Sequence, residues 1–448
     1  MRGEHMNQAT QAVPKKILSV ADSVAFFVGI VIGVGIFKTP SIVAGATGDA
    51  TLFIGVWLAG GLATIIGALC YAELAAMHPD AGGEYNFLAR AYGKRVAVLF
   101  AWARGTVIQT GAIALVAFVF GDYAAQLLPL GAQGPTIYAA LCVIVLTGVN
   151  IVGTLPGARA QKALEIATIL AIAAVIAAGF SAGGEAAKPA APNAGGALGL
   201  AMVLVLLSYG GWNEIAYLSG EMRDVKRDMV RAILIGAAVV TAIYVGFNLA
   251  LLKAFGVGGI AESKAVGADL MRLVGGEAGV ALLAIAVCLS SLSTLNGTIF
   301  TGARSWYALA RDVPLIARFG VWDGARDNPA NALALQGALS LLLVALGAFT
   351  RDGFSTMVDY TAPVFWFFLL LVGVSLFVFR LREPARERPF RVPLYPLTPA
   401  IFVAICAYLL YSSLAYTGTG ALFGVAVVAL GVPFALMARG EASARAPS

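Results

Sequence analysis

The stretch Gly29-Ile30-Val31-Ile32-Gly33-Val34-Gly35-Ile36-Phe37-Lys38-Thr39-Pro40 decides how the rest of this chain is interpreted. It begins like a membrane-spanning helix, but its glycines and its closing proline weaken a helix there. Backbone groups released at that depth must face protein or a water-filled cavity, because lipid offers them no partners. Freed amides can bind the carboxylate of a small solute. Alternatively, Gly29 and Gly33 form a small-residue face for close helix packing.

The composition assigns this segment to a polytopic membrane protein. Of the 448 residues, 60% are hydrophobic and 12% are charged, and the mean hydropathy is +0.86. A hydrocarbon core of about 30 Å requires about 20 apolar residues per helix. Twelve segments meet this requirement, and we place them near residues 18–44, 50–77, 94–122, 135–152, 162–180, 197–220, 230–253, 277–310, 329–349, 354–380, 397–415 and 419–437.

The basic residues support this division and orient it. If the N-terminus is cytoplasmic, 23 of the 30 lysines and arginines fall on the cytoplasmic side. Five fall outside, and Lys38 and Arg104 lie within segments. This asymmetry predicts a multi-pass protein of the inner (plasma) membrane with both termini cytoplasmic. Topology thus accounts for the formal charge of +6, and lipid, not nucleic acid, is the expected surrounding partner.

A second interrupted helix follows five spans after the first. In the sixth segment, Leu207-Ser208-Tyr209-Gly210-Gly211-Trp212-Asn213-Glu214 places a glycine pair and polar groups inside an apolar run. Two interruptions at matching positions of two five-helix halves indicate inverted repeats with a substrate site at the membrane midplane. The predicted organisation is a tail at 1–17, a twelve-helix transporter domain at 18–437 (repeat one about 18–180, repeat two about 197–380, helices eleven and twelve about 397–437) and a tail at 438–448.

The reactive residues exclude most catalytic classes. The two histidines, His5 and His78, lie in the N-terminal tail and in a loop, which argues against a histidine-based metal or catalytic centre. The sequence has no glycine-rich phosphate loop ending in Gly-Lys-Ser/Thr, so it carries no motor for ATP-driven pumping. We therefore expect no enzymatic activity and no cofactor other than Na⁺ or H⁺ as a coupling ion, and nothing indicates an obligate partner subunit.

Five motifs carry a family resemblance. Gly33-Val34-Gly35-Ile36-Phe37 resembles the G-S-G-I-F motif of the amino acid/polyamine/organocation (APC) superfamily. Tyr209-Gly210-Gly211-Trp212-Asn213 resembles the sixth-helix motif of its L-type amino acid transporter branch. The other three occur in family order, as PDAGGEY at 79–85, NGTIFTGARSWYALAR at 296–311 and RPFRVPLYP at 388–396. The similarity extends from about residue 18 to 437.

The resemblance implies an all-α membrane protein with a LeuT-like 5+5 inverted repeat, in which helices one and six are discontinuous around the substrate. The amino acid's carboxylate is then expected near first-helix amides and its ammonium near carbonyls of both breaks. The residues implied for substrate binding are Gly33, Val34, Gly35 and Ile36 in the first helix, and Leu207, Ser208, Tyr209, Gly210, Gly211 and Trp212 in the sixth.

Two residues depart from the family pattern, and both bear on substrate size. Val34 stands where the motif usually has serine, so a hydroxyl is lost and apolar bulk is gained beside the expected carboxylate position. Leu207 stands where the L-type transporters carry an aromatic proximal gate. Both changes favour an apolar substrate side chain.

The coupling mechanism stays open at this stage. Many relatives carry a lysine midway along helix five, whereas this chain has Thr168 near the expected position. Glu214, after the sixth-helix break, is a candidate proton carrier, because a carboxylate at membrane depth is costly and usually functional. Oxygen ligands for Na⁺ are available at Val28, Gly29, Ser290, Ser291 and Thr294. In the ordinary alternative, such hydroxyls bond the carbonyl one helical turn earlier or pack as small residues.

The sequence thus favours a secondary active transporter for neutral, small to medium apolar L-amino acids, working as a symporter or an antiporter. A cationic amino acid or polyamine exchanger is the alternative within transporters, and it requires carboxylates in the pocket. A channel or a non-transporting amino acid sensor is the alternative of another class. The sequence displays neither the charge rings of a channel nor room for a signalling domain.

Overall fold

The structure, a computed structural model, describes residues 19–78, 83–153, 158–182, 188–189, 197–213, 225–323, 326, 328–350, 352–416 and 418–437. Within these residues every extended regular element is a helix, apart from one isolated bridge between Asp323 and Asn328. The predicted all-α class is therefore confirmed for the part of the chain that the structure describes.

The helices follow one another with short connections. The first part of the chain contains α1 (Val20–Val31), a 3₁₀ turn (Val34–Phe37), α2 (Thr39–Thr47), α3 (Ala50–Met77), α4 (Gly83–Tyr92), α5 (Lys94–Ala103), a π-helical segment (Arg104–Ile108) and α6 (Gln109–Leu127). The middle part contains α7 (Gly134–Val152), α8 (Ala158–Ser181), α9 (Leu198–Ser208), α10 (Val225–Glu262) and α11 (Val266–Asp312). The last part contains a 3₁₀ helix (Pro314–Phe319), α12 (Ala330–Ala348), α13 (Gly353–Arg382), α14 (Leu397–Tyr416), α15 (Gly418–Ala429) and α16 (Val432–Met437).

Nine helical runs among the described residues are long and apolar enough to cross a membrane, and each coincides with a predicted segment. They are Ala50–Met77, Lys94–Leu127, Gly134–Val152, Arg227–Glu262, Val266–Arg311, Ala330–Ala348, Gly353–Arg382, Leu397–Tyr416 and Gly420–Met437. Large apolar side chains on these runs, such as Leu282, Leu342 and Leu422, are exposed on the outer surface. An apolar outer surface of this kind is what lipid contact requires, so the chain is a multi-pass membrane protein.

The remaining predicted segments hold shorter helices. The first segment contains α1 and α2, separated by the 3₁₀ turn, and the fifth contains the apolar run Ile166–Ser181. The sixth contains α9, which ends at Ser208. The two segments with predicted interruptions are thus among those that lack one long spanning helix.

The division into segments predicts a loop at residues 254–276, between the seventh and eighth segments, but the structure makes most of these residues helical. Helix α10 continues to Glu262, and α11 already begins at Val266. Gly256 and Gly276 have φ values of 63° and 58°, which let the chain turn sharply between two helical stretches. A lower apolar content between two predicted spans therefore does not by itself indicate a coil.

Two groups of helices surround the first break. Helix α10 packs along α1, α2 and α3, and α9 packs against α2 and α3. The continuous run from α5 through the π-helical segment to α6 packs against α7, α11, α12 and α13. The 3₁₀ turn Val34–Phe37 contacts both α6 and α11, so the break lies where the two groups meet.

Glu73 fastens the C-terminal end of α3 to the end of α13. Its carboxylate is almost fully buried and accepts two hydrogen bonds from Arg380, Nε to Oε1 at 2.7 Å and Nη2 to Oε2 at 2.8 Å. The amide of Val392 donates to Oε2 at 2.7 Å. The motif at 388–396 therefore has a structural role, because its backbone closes over a buried carboxylate.

His78, at the C-cap of α3, is also buried, and its ring lies 4.7 Å from that of Phe379. Burial, followed by the nearby Arg386, lowers the pKa of His78 to about 4. The imidazole is therefore neutral at neutral pH. Its 3.7 Å approach to Glu383 is not an ion pair under those conditions.

We predict that Glu73→Gln lowers the stability of the purified protein. Removing one charge of a buried pair leaves the other uncompensated, at a cost of about 3–5 kcal/mol. The measurement is the midpoint of thermal unfolding in detergent. Glu277→Gln is the matched control, because Glu277 pairs with Arg272 while remaining 78% exposed. Equal midpoints for the two variants would contradict the prediction.

Candidate functional site

The first break consists of an extended residue and one tight turn. Helix α1 ends at Val31, and Gly33 is extended (φ −97°, ψ −178°). The amide of Gly33 donates to the carbonyl of Val31 at 2.8 Å, so it is not available to its ordinary helical partner, the carbonyl of Gly29. The turn over Val34–Phe37 starts without a side-chain cap. Its first amides, those of Val34, Gly35 and Ile36, are the ones implied for carboxylate binding.

The second break begins at the end of α9. The amide of Tyr209 still bonds the carbonyl of Val205, but that of Gly210 turns back to Leu207 at 3.0 Å. Gly211 then has φ +99°, a left-handed conformation that L side chains rarely adopt. The glycine pair therefore terminates the helix as expected. Glu214 lies outside the described residues.

The two breaks contact each other directly. A Cβ atom added to Gly35 would lie 3.5 Å from the Ser208 hydroxyl, and one added to Gly211 would lie 2.9 Å from the Ile30 carbonyl oxygen. The Ser208 hydroxyl also lies 2.9 Å from that of Thr39, at the start of α2. Backbone from the first and sixth predicted helices is thus in van der Waals contact, and glycine makes this approach possible.

Tyr244 of α10 connects the carbonyls of both breaks. Its hydroxyl oxygen lies 2.8 Å from the carbonyl of Val31 and 3.0 Å from that of Ser208. A single hydroxyl proton serves these two acceptors, so at any moment one of them can accept another donor. A protonated amine is such a donor.

An aromatic cluster supports Tyr244 from the side of α3. The rings of Trp57, Tyr209 and Tyr244 contact one another, with the closest pair, Tyr209 and Tyr244, at 4.9 Å. The Tyr209 hydroxyl donates to the carbonyl of Trp57 at 2.9 Å. All three side chains are fully buried. This packing holds the Tyr244 hydroxyl in position between the breaks.

The structure brings together most of the residues implied for substrate binding. Val34, Ile36, Ser208 and Tyr209 are buried at the junction of the breaks, and Gly33, Gly35, Gly210 and Gly211 supply its backbone. Leu207 is half-buried. The indole of Trp212 instead packs between Tyr71 of α3 and Phe402 of α14. The substrate roles of these residues stay predictions.

Sequence reasoning missed Trp57, Thr39 and Tyr244. The available signal for Tyr244 was the pair Tyr244 and Asn248, polar groups one turn apart in an apolar helix. Asn248 is fully buried and donates to the carbonyl of Tyr244. Such a pair marks an inward-facing stripe, but it does not say which carbonyls the hydroxyl reaches.

The coupling candidates lie on separate helices. Thr168 is buried on α8, and Ser290 and Ser291 are buried on α11. The Ser291 hydroxyl donates to the carbonyl of Val287 at 2.8 Å, which is the ordinary role for a serine in an apolar helix.

Two further details refine the Na⁺ prediction. The Val28 carbonyl accepts the helical bond from Ile32, so carbonyl release begins at Gly29 and not at Val28. On α11, the carbonyl of Thr294 accepts a hydrogen bond from the Thr298 hydroxyl at 2.8 Å. Among the described residues, no group of three or more His, Cys, Asp or Glu side chains could hold a metal ion. The Na⁺ site stays a prediction.

These features define a polytopic membrane protein in which two interrupted helices meet around a small polar junction. The sequence profile of the family described as "Amino acid permease" matches residues 18–434. This chain belongs to that family, and the APC resemblance of its motifs is confirmed.

Individual relatives are similar along most of the chain. The human b(0,+)-type amino acid transporter 1 is 28% identical over 406 residues, covering 88% of this chain and 82% of that protein. The human large neutral amino acids transporter small subunit 2 is 30% identical over 434 residues, covering 94% and 79%. The serine/threonine exchanger SteT of Bacillus subtilis (strain 168) is 26% identical over 405 residues, covering 89% and 91%. The family and these relatives are transporters, which confirms the prediction of a transport protein and not an enzyme.

We predict that Gly211→Ala destabilises the junction, whereas Gly33→Ala does not. Alanine at 211 combines a left-handed φ with a contact of 2.9 Å to the Ile30 carbonyl oxygen, a strain of about 1–3 kcal/mol. A Cβ atom at 33 would meet only the Val31 carbonyl oxygen at 4.0 Å. The measurement is the thermal unfolding midpoint in detergent, and a similar loss in both variants would contradict the prediction.

Proposed function

We propose that this protein is a secondary active transporter of neutral, small to medium apolar L-amino acids that works by alternating access. The observation that carries the proposal is the junction of the two breaks, where Tyr244 lies between the carbonyls of Val31 and Ser208. Uncapped amides lie a few residues along the same chain, at Val34 and Gly35. An α-amino acid carries an ammonium and a carboxylate on one carbon, and it matches carbonyls and amides placed so close together.

The family supports the amino acid class, and the junction supports neutral substrates. The names of the three relatives all refer to amino acids. The described side chains that bridge the breaks are Thr39, Ser208 and Tyr244, and none carries a charge. Val34 adds apolar bulk beside the amides. A cationic side chain would instead gain from a carboxylate at this position.

Alternating access requires the two groups of helices to move relative to each other. In the proposed architecture, twelve spans with both termini cytoplasmic form two inverted repeats of five helices, at about 18–180 and 197–380, followed by two further helices. The nine spanning runs, the broken α1–α2 pair, α8 and α9 account for these twelve positions. The moving group contains α1, α2, α3, α9 and α10, which pack on one another.

The first test is uptake of labelled alanine and leucine into proteoliposomes of the purified protein. We expect accumulation of one or both, and competition by unlabelled neutral amino acids but not by arginine. Competition by arginine or by a polyamine would favour the cationic exchanger instead. Binding without uptake would favour a sensor, and uptake that does not saturate with substrate would favour a channel.

We predict that Gly35→Leu abolishes substrate binding. A branched side chain at this position extends toward the Ser208 hydroxyl, which lies 3.5 Å from the Cβ position, and fills the space expected for the carboxylate. Scintillation proximity binding of the best substrate measures the effect. Gly148→Leu on α7 is the matched control, because nothing lies within 4 Å of a Cβ atom added there. Normal affinity in Gly35→Leu would reject the site assignment.

The coupling ion is tested in the same vesicles. If Na⁺ drives transport, an inward Na⁺ gradient at fixed pH increases accumulation, and Ser291→Ala reduces that increase by removing an oxygen ligand. If uptake ignores Na⁺, a pH gradient distinguishes proton coupling from exchange against internal amino acid. Proton coupling then directs attention to Glu214, whose neutral variant Glu214→Gln should lose the response to the gradient.

A further inference from the structure

Two partly buried ion pairs are anchored on one helical run. The run Lys94–Leu127 comprises α5, the π-helical segment and α6. Arg104 begins the π-helical segment, and Asp122 lies near the end of α6. Asp122 pairs with a residue at the first break, and Arg104 pairs with a carboxylate that also binds a residue just after the second break. The proposed function uses neither pair.

Asp122 holds the residue that ends the first break. The Lys38 ammonium donates to Asp122 Oδ2 at 2.9 Å, and the two side chains are 12% and 25% exposed. The next residue of α6 strengthens this contact, because the Tyr123 hydroxyl lies 3.3 Å from the Phe37 carbonyl and the two rings meet edge to face. Two consecutive residues of α6 therefore hold two consecutive residues of the break.

Arg104 holds the second break through a shared carboxylate. Its Nη1 donates to Glu84 Oε2 at 3.0 Å, and the two side chains are 16% and 7% exposed. Glu84 Oε1 accepts from the Tyr71 hydroxyl at 2.8 Å and from Asn213 Nδ2 at 3.0 Å. Tyr71 belongs to α3, and Asn213 is the last residue of the sixth-helix motif. One carboxylate thus joins the run to two elements of the proposed moving group.

The spacing of the two anchors matches the thickness of a membrane. Arg104 and Asp122 are eighteen residues apart, about 27 Å along a helix at 1.5 Å per residue. The hydrocarbon core is about 30 Å thick. The two pairs therefore lie toward opposite faces, one joined to the first break and the other to the segment just after the second.

We propose that the Lys38–Asp122 pair and the Glu84 cluster (Glu84, Arg104, Tyr71 and Asn213) are the two gates that close the substrate junction toward opposite faces of the membrane. Arg104 and Asp122 act as positioning residues. The proposal rests on the proposed function, because it assigns specific contacts to alternating access. In this structure both gates are closed.

The chemistry of these pairs suits a reversible contact. Breaking a buried ion pair in place is costly, but charges that separate into water regain their hydration. A gate of this type therefore opens only when its face admits water. Opening one face while the other pair stays formed gives alternating access, and neutralising one pair should bias the protein toward the state open at that face.

The test measures from which face a cysteine at the junction can be labelled. Gly33→Cys supplies the reporter, because a side chain there meets only the Val31 carbonyl oxygen at 4.0 Å. The native cysteines Cys70, Cys142, Cys288 and Cys406 are buried, and protein without the reporter gives the blank. A membrane-impermeant methanethiosulfonate is added to right-side-out or to inverted vesicles.

We expect slow labelling from both faces in the reporter protein. Asp122→Asn or Lys38→Met should raise the rate from the face nearer Lys38 by about tenfold, because labelling follows the population of the open state. Arg104→Gln or Glu84→Gln should do the same from the opposite face. The control is Glu262→Gln, which removes the ion pair between Glu262 and Lys188. These two side chains are 67% and 60% exposed, so the control variant should leave both labelling rates unchanged.

Equal acceleration from both faces, or none, would overturn the proposal. The exchanged pair Lys38→Asp with Asp122→Lys should return labelling toward the slow rate, whereas a merely structural loss would not be restored. If one variant of a pair does not fold, as judged by size-exclusion profile and melting, its partner's variant tests the same gate.

Uptake by the unmodified protein, measured in parallel, separates the two proposals. Uptake of alanine or leucine without side-specific labelling rejects the gates alone. Side-specific labelling without uptake of either amino acid rejects the substrate assignment and leaves the gates standing.

Discussion

Everything in this structure depends on how a membrane protein satisfies backbone groups that its own glycines release. A helix broken at membrane depth frees carbonyls and amides that lipid cannot pair. Here the carbonyl of Val31, at the end of α1, lies 2.8 Å from the Tyr244 hydroxyl of α10, which also lies 3.0 Å from the carbonyl of Ser208. The same groups that must not be left unpaired are the ones able to bind a zwitterion. The same backbone groups therefore determine both the stability of the junction and its ability to bind a substrate.

The local part of this arrangement was predictable from sequence. Glycines and prolines interrupt helices through their own backbone preferences, so the breaks near Gly33 and Gly211 could be predicted from glycines inside apolar runs. Most spanning segments could be predicted from the lengths of those runs. Partners distant along the chain were not predictable. Tyr244 is more than two hundred residues from Val31, and a single sequence does not state which hydroxyl meets which carbonyl. The wrong prediction of a loop at 254–276 has a related cause, because a lower apolar content does not distinguish a coil from a helix.

The structure also gives contacts for the family motifs that lie away from the breaks. The motif at 388–396 covers Glu73, and the motif at 79–85 supplies Glu84. In the motif at 296–311, the Trp306 indole donates to the carbonyl of Gly105, inside the π-helical segment. The family resemblance implies a lysine midway along helix five, where this chain has Thr168. Two partly buried cations, Lys38 and Arg104, lie elsewhere in the chain, one at the first break and one linked to the second through Glu84.

The π-helical segment Arg104–Ile108 also fixes the phase of the long run to which it belongs. A π turn accommodates one residue more than an α turn does, and each residue of an α-helix turns its side chain by about 100°. Without that extra residue, α6 would be rotated by about this angle relative to α5. Asp122 would then face a different neighbour while Arg104 kept its own. The π-helical segment therefore sets the rotation at which residues of this one run contact the segments at both breaks. Deleting one residue there would change the partners of α6, although all four residues of the two ion pairs would still be present.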